Sequence, residues 1–72
     1  MIGTLAHNMV TTDGTIVSYD AAKRTGHILG HNGKNYQFNQ KDWRFSKIGP
    51  KEGLLVNFAV AGMVAFNISI AP

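Results

Sequence analysis

Apolar and polar positions alternate in several short runs along this chain, and period two is the mark of half-buried β-strands. The clearest case lies near the C-terminus. Val56, Phe58 and Val60 alternate with other residues, as do Val64, Phe66, Ile68 and Ile70, and Ala61-Gly62 stands between the two runs. This predicts a hairpin of strands over residues 54–60 and 63–70. Further upstream, residues 14–19 form a β-branched run that predicts a first strand, followed by a turn over 20–24. Residues 26–29 and 36–39 make a second and a third strand, joined through Asn32-Gly33, a pair suited to the positive φ angles of a tight hairpin turn. Residues 41–53 are polar and basic, include the breaker Gly49-Pro50, and connect the meander to the last hairpin. The pattern predicts no helix longer than a turn and no internal repeat. Five strands in a three-plus-two arrangement imply a small closed barrel, all-β in class.

Residues 1–13 lack periodicity and read as an N-terminal extension that is flexible or adds a short edge strand. Residues 14–72 then form one domain. A chain of 72 residues has room for a single small core, and without cysteine neither a disulfide nor a thiolate zinc site can reinforce it. Residues 53–72 are uncharged over about the length that spans a bilayer. Their alternation and the central Gly62 nevertheless favour a hairpin over a transmembrane helix, so no membrane partner is expected. Met1 to Asn8 have no basic start and no long apolar run, hence no export signal, and the default location is cytoplasmic.

The net charge of +3 understates a local asymmetry, because all seven basic residues lie between Lys23 and Lys51 with only Asp42 against them. Such a segment is either a solvated face or a face for polyanions. Catalysis is not expected. The four acidic residues, Asp13, Asp20, Asp42 and Glu52, are scattered, and neither a phosphate-cradling glycine loop nor a nucleophile motif occurs. His27 and His31 lack a third ligand nearby in sequence, so neither a metal nor any other cofactor is implied.

The order of residues also resembles a known family. Residues 14–28, GTIVSYDAAKRTGHI, look like the cold-shock opening G-x-V-K-W-F-N-x-x-K-G-F-G-F-I. Asn35-Tyr36-Gln37-Phe38-Asn39-Gln40 takes the place of D-V-F-V-H-F. Glu52-Gly53, Val56, Phe58 and Ala65-Phe66-Asn67-Ile68 are similar to the family's E-G-x-x-V-x-F and A-x-N-V. The resemblance implies a five-stranded antiparallel OB-fold barrel of the cold-shock-domain type. Its core would hold Ile16, Ile28, Tyr36, Phe38, Val56, Phe58 and Ile68, with Trp43 closing one end.

In that family, outward aromatics on the first three strands stack on the bases of single strands. Here Ser18 stands for tryptophan, Thr25 and His27 for two phenylalanines, and Gln37, Asn39 and Gln40 for phenylalanine, histidine and phenylalanine. Tyr19 keeps its ring, and Phe45 in the long connection offers another. Each base–aromatic stack is worth roughly 1–3 kcal/mol, and about 1.4 kcal/mol is tenfold in affinity. The resemblance therefore implies a small cold-shock-like protein that binds single-stranded RNA or DNA weakly and in a salt-dependent way. Its candidate nucleic-acid-binding residues are Lys23, Arg24, His27, Tyr19, Ser18, Thr25, Gln37, Asn39, Gln40, Arg44 and Phe45. Lys34, Lys41 and Lys47 rank below them. The alternative is an OB module repurposed for a protein partner or homodimer, meeting it through the polar outer sheet or through Val17 and the N-terminal extension.

Overall fold

A computed structural model of the chain describes residues 10–45 and 47–71. Five strands, β1 (Val10–Asp20), β2 (Thr25–Gly30), β3 (Asn35–Asn39), β4 (Leu55–Ala61) and β5 (Val64–Ile70), close into a barrel in the order β1-β2-β3-β5-β4. All neighbouring pairs are antiparallel except β3 and β5, which run parallel at the Gln37–Val64 position. This corrects the expectation of a wholly antiparallel barrel. A closed ring with an odd number of strands cannot alternate direction all the way round, so one adjacent pair must be parallel.

β1 is longer than its alternating residues imply. It begins at Val10, and Val10 to Thr15 pair with β4 while Gly14 to Asp20 pair with β2. One strand thus serves both halves of the barrel. The part of the predicted N-terminal extension at residues 1–9 lies outside the described residues, whereas residues 10–13 belong to the strand.

The core is the predicted one. Ile16, Ile28, Tyr36, Phe38, Val56, Phe58 and Ile68 are all buried, joined by Ala65, and Trp43 packs against them half-buried. Trp43 bridges to Ile68 in the parallel sense, and its indole Nε1 donates to the Ile48 carbonyl at 2.8 Å. Tyr36 meets Phe58 edge-on with centroids 5.3 Å apart, and its hydroxyl accepts from Asn32 Nδ2 at 2.9 Å, which satisfies the polar end of a buried ring. The Asn32-Gly33 turn works differently from the expected pair of positive φ angles. Gly33 alone takes one (φ 86), while the Asn32 side-chain oxygen accepts from Lys34 N.

Two bulges decide which residues face outward. The β1–β2 register shifts between Ile16 and Ser18, so Val17 becomes an extra residue, 44% exposed, and Ser18 comes opposite His27. On β5, Asn67 adopts φ 54 and the β4–β5 register shifts beside it. Period two over Val64, Phe66, Ile68 and Ile70 is thereby broken. Ala65 and Ile68 point into the core, and Val64 and Phe66 share the opposite phase. Among the described residues, no helix is long and apolar enough to cross a membrane.

Candidate nucleic-acid interface

Alternation puts Gly26 and Ile28 of β2 and Tyr36 and Phe38 of β3 inside, and so leaves Thr25, His27, Gln37 and Asn39 outside. Cross-strand register then aligns them. Ser18, His27 and Gln37 form one row across β1, β2 and β3, and Asp20, Thr25 and Asn39 form the next. Ser18 Oγ and His27 Nδ1 are hydrogen-bonded at 3.1 Å, which orients the imidazole on the exposed surface.

Tyr19 departs from the expected outward ring. It shares the phase of Gly26 and Phe38, stacks on Phe38 at 6.0 Å with planes 14° apart, and is half-buried. The shift at Val17 is the cause, since it turns Ser18 outward and the next residue inward. The phenol still reaches the face, donating to Gln40 Oε1 at 3.0 Å.

The β1–β2 turn brings in Lys23 and Arg24. Asp20 Oδ1 accepts from the backbone N–H of Ala22 and Lys23, and Arg24 N donates to Asp20 O. Arg24 closes this turn in the left-handed region at φ 59. Its carbonyl accepts from Gln40 N at 2.9 Å, which fastens the basic turn to the end of β3. There the chain makes a 3₁₀ turn, Gln40–Asp42, capped by Asn39, whose Oδ1 accepts from Lys41 N. Arg44 follows and is anchored twice to β5. Its backbone N donates to Ile68 O at 2.8 Å and its Nε to Asn67 Oδ1 at 3.1 Å.

Three hollows run over this surface. A groove of about 540 Å³ is lined by Thr25, His27, Gln37, Asn39, Lys41, Asp42 and, from β5, Val64 and Phe66. A shallower one of about 290 Å³ joins Arg24, Asn39, Gln40 and Lys41. A third, about 340 Å³, lies among Gln40, Trp43, Arg44, Phe45 and Ile48. Asn39 and Lys41 are shared by the first two and Gln40 by the last two, so the hollows adjoin at these residues and line up as one track of neighbouring depressions.

Every candidate residue except Lys23 lines that track or bonds directly to a residue that does. Lys41 ranks below the candidates, and Asp42, Val64 and Phe66 are not among them; β5 brings Val64 and Phe66 to this face only through the parallel closure and the bulge at Asn67. Lys34 stands in the β2–β3 turn, at the opposite end of β2 from Arg24. No three His, Cys, Asp or Glu side chains among the described residues are grouped to hold a metal ion. No protein-family model and no curated protein matches this chain, so the candidate site rests on its own residues and geometry.

Proposed function

We propose that this barrel is a cold-shock-like OB-fold module that binds single-stranded RNA or DNA weakly, through a polar and basic track in place of an aromatic platform. The observation that carries the reading is the adjacency of the three hollows through shared lining residues, which brings together residues from β2, β3, the 3₁₀ turn and the following loop. The strand order and the double use of β1 support the OB assignment. Along the track, Arg24 and Lys41 supply phosphate partners, and Gln37, Asn39, Gln40 and His27 supply hydrogen-bonding groups for base edges. Phe45, 38% exposed, provides a ring on which a base can stack.

The test is a titration of single-stranded DNA and RNA oligomers, followed by amide chemical shifts at low and near-physiological salt. Saturating shifts at Lys23, Arg24, His27 and Asn39 are expected. Each phosphate neutralised on a single strand contributes roughly −0.7 to the slope of log K against log salt, so contacts from Lys23, Arg24 and Lys41 give a slope of about −2. Absence of saturation at low salt would dispose of this reading.

A second reading has its own support. Leu29, Thr15 and Leu55 are neighbours across β2, β1 and β4, and the two leucines are 42% and 52% exposed. Together with Val17 they make an outward apolar strip suited to a protein partner. Association through that strip would persist as salt rises, which separates it from the first reading.

A further inference from the structure

Where β3 meets β5, the largest groove sets three kinds of surface side by side. Val64, 40% exposed, and half-buried Phe66 are apolar; Gln37 and Asn39 carry amides; Lys41 is cationic and Asp42 a half-buried carboxylate. A wholly anion-binding face would not include Asp42. Its presence implies that the occupant offers hydrogen-bond donors there.

We propose that this groove is a subsite for one unstacked guanine of a single strand, with the base against Phe66, its Watson–Crick edge toward Asp42 and its phosphate toward Lys41. The inference rests on the nucleic-acid reading above and adds to it a base preference. An ionised carboxylate only accepts hydrogen bonds. Guanine answers with two adjacent donors, N1–H and the N2 amine. Adenine and cytosine present one amine beside a ring acceptor, and uracil a single N–H between two carbonyl oxygens that a carboxylate repels. Asn39 completes the discrimination. Its Oδ1 is occupied by Lys41 N, which leaves the Nδ2 amine to donate toward guanine O6. Phe66 contributes the apolar surface on which a purine ring covers more area than a pyrimidine.

The experiment compares hexauridine with the same oligomer carrying one central guanosine, titrated into the intact chain at low salt. The guanosine should tighten binding about tenfold and shift the Phe66 ring and Val64 methyl signals, which hexauridine leaves in place. Asp42→Asn removes a negative charge and so raises affinity for both oligomers, but it should cut the guanosine advantage below about twofold. Phe66→Leu should lower the same ratio without altering the response of Arg24. Equal affinities with shifts confined to Lys23, Arg24 and Phe45 would overturn the subsite and leave the nucleic-acid reading standing. An unchanged guanosine advantage in Asp42→Asn would overturn it as well. No saturation with either oligomer would overturn both.

Discussion

Arg24 combines two opposed demands in one residue. Its φ of 59 is a conformation that costs a side-chain-bearing residue about 1–2 kcal/mol and glycine little. Part of any gain from glycine is offset by the freedom it adds to the unfolded chain. Arg24→Gly should therefore stabilise the fold by up to about 1 kcal/mol in urea unfolding, while weakening oligonucleotide binding and flattening its salt dependence by roughly one phosphate. A stabilised variant with unaltered binding would show that Arg24 is only solvated. Gly26 is constrained by space instead. A Cβ there would lie 2.6 Å from Ser18 O and 2.7 Å from two atoms of the Phe38 ring. Gly26→Ala should cost about 1–3 kcal/mol as an overpacked site, read from the urea midpoint, and should disturb the Tyr19–Phe38 stack seen in aromatic NMR shifts.

At the level of elements, the bulge in β5 does most to shape the face. Asn67 tolerates its left-handed backbone because a short polar side chain fits that region, and it uses the same side chain to hold Arg44. Asn67→Val should lose about 1–2 kcal/mol or more in equilibrium unfolding, since a β-branched residue is poorly accommodated at positive φ. Asn67→Gly keeps the backbone and removes the anchor; trypsin should then cut faster after Arg44 or Lys47, with the urea midpoint shifted much less. The strands themselves were legible in the sequence, since β-branched alternation and turn residues are local signals. The bulges were not. Val64, Phe66, Ile68 and Ile70 alternate perfectly on paper, and only the pairing with β4 shows that Asn67 is an added residue that puts Phe66 in the opposite phase. The same limit applies to Tyr19, whose inward turn follows from the shift at Val17. Val10, Thr11 and Thr12 did carry a β-branched signal for the start of β1, but too little alternation to mark it.

For the molecule as a whole, one compact cluster of buried side chains supplies stability, with no disulfide behind it. Deleting a fully buried aliphatic such as Ile28 should cost about 2–5 kcal/mol, a large share of what a small domain has. Ile28→Ala is accordingly expected to lose amide dispersion at 37 °C, whereas Ile28→Val should keep it. Charge also belongs to this scale. β2 separates Lys34 from Arg24 by its six residues, or about 20 Å at ~3.3 Å per residue, which is beyond the ~10 Å screening length at 0.1 M salt. Lys34→Ala should leave oligonucleotide affinity nearly unchanged, while Lys41→Ala should weaken it several-fold. Core membership was readable from the order of residues that carries the family resemblance; the contents of the candidate site were not, because barrel closure unites residues distant in sequence. That closure has a mechanical consequence. β3 and β5 are joined by one register pair, the fewest of any neighbouring strands, with the Gln37 amide bonded to Met63 O at 3.0 Å, so this short seam is expected to open before the others. The largest groove lies across that seam, touching both strands. A bound strand would act there as a staple, and the Gln37 amide should exchange with deuterium more slowly when the groove is filled.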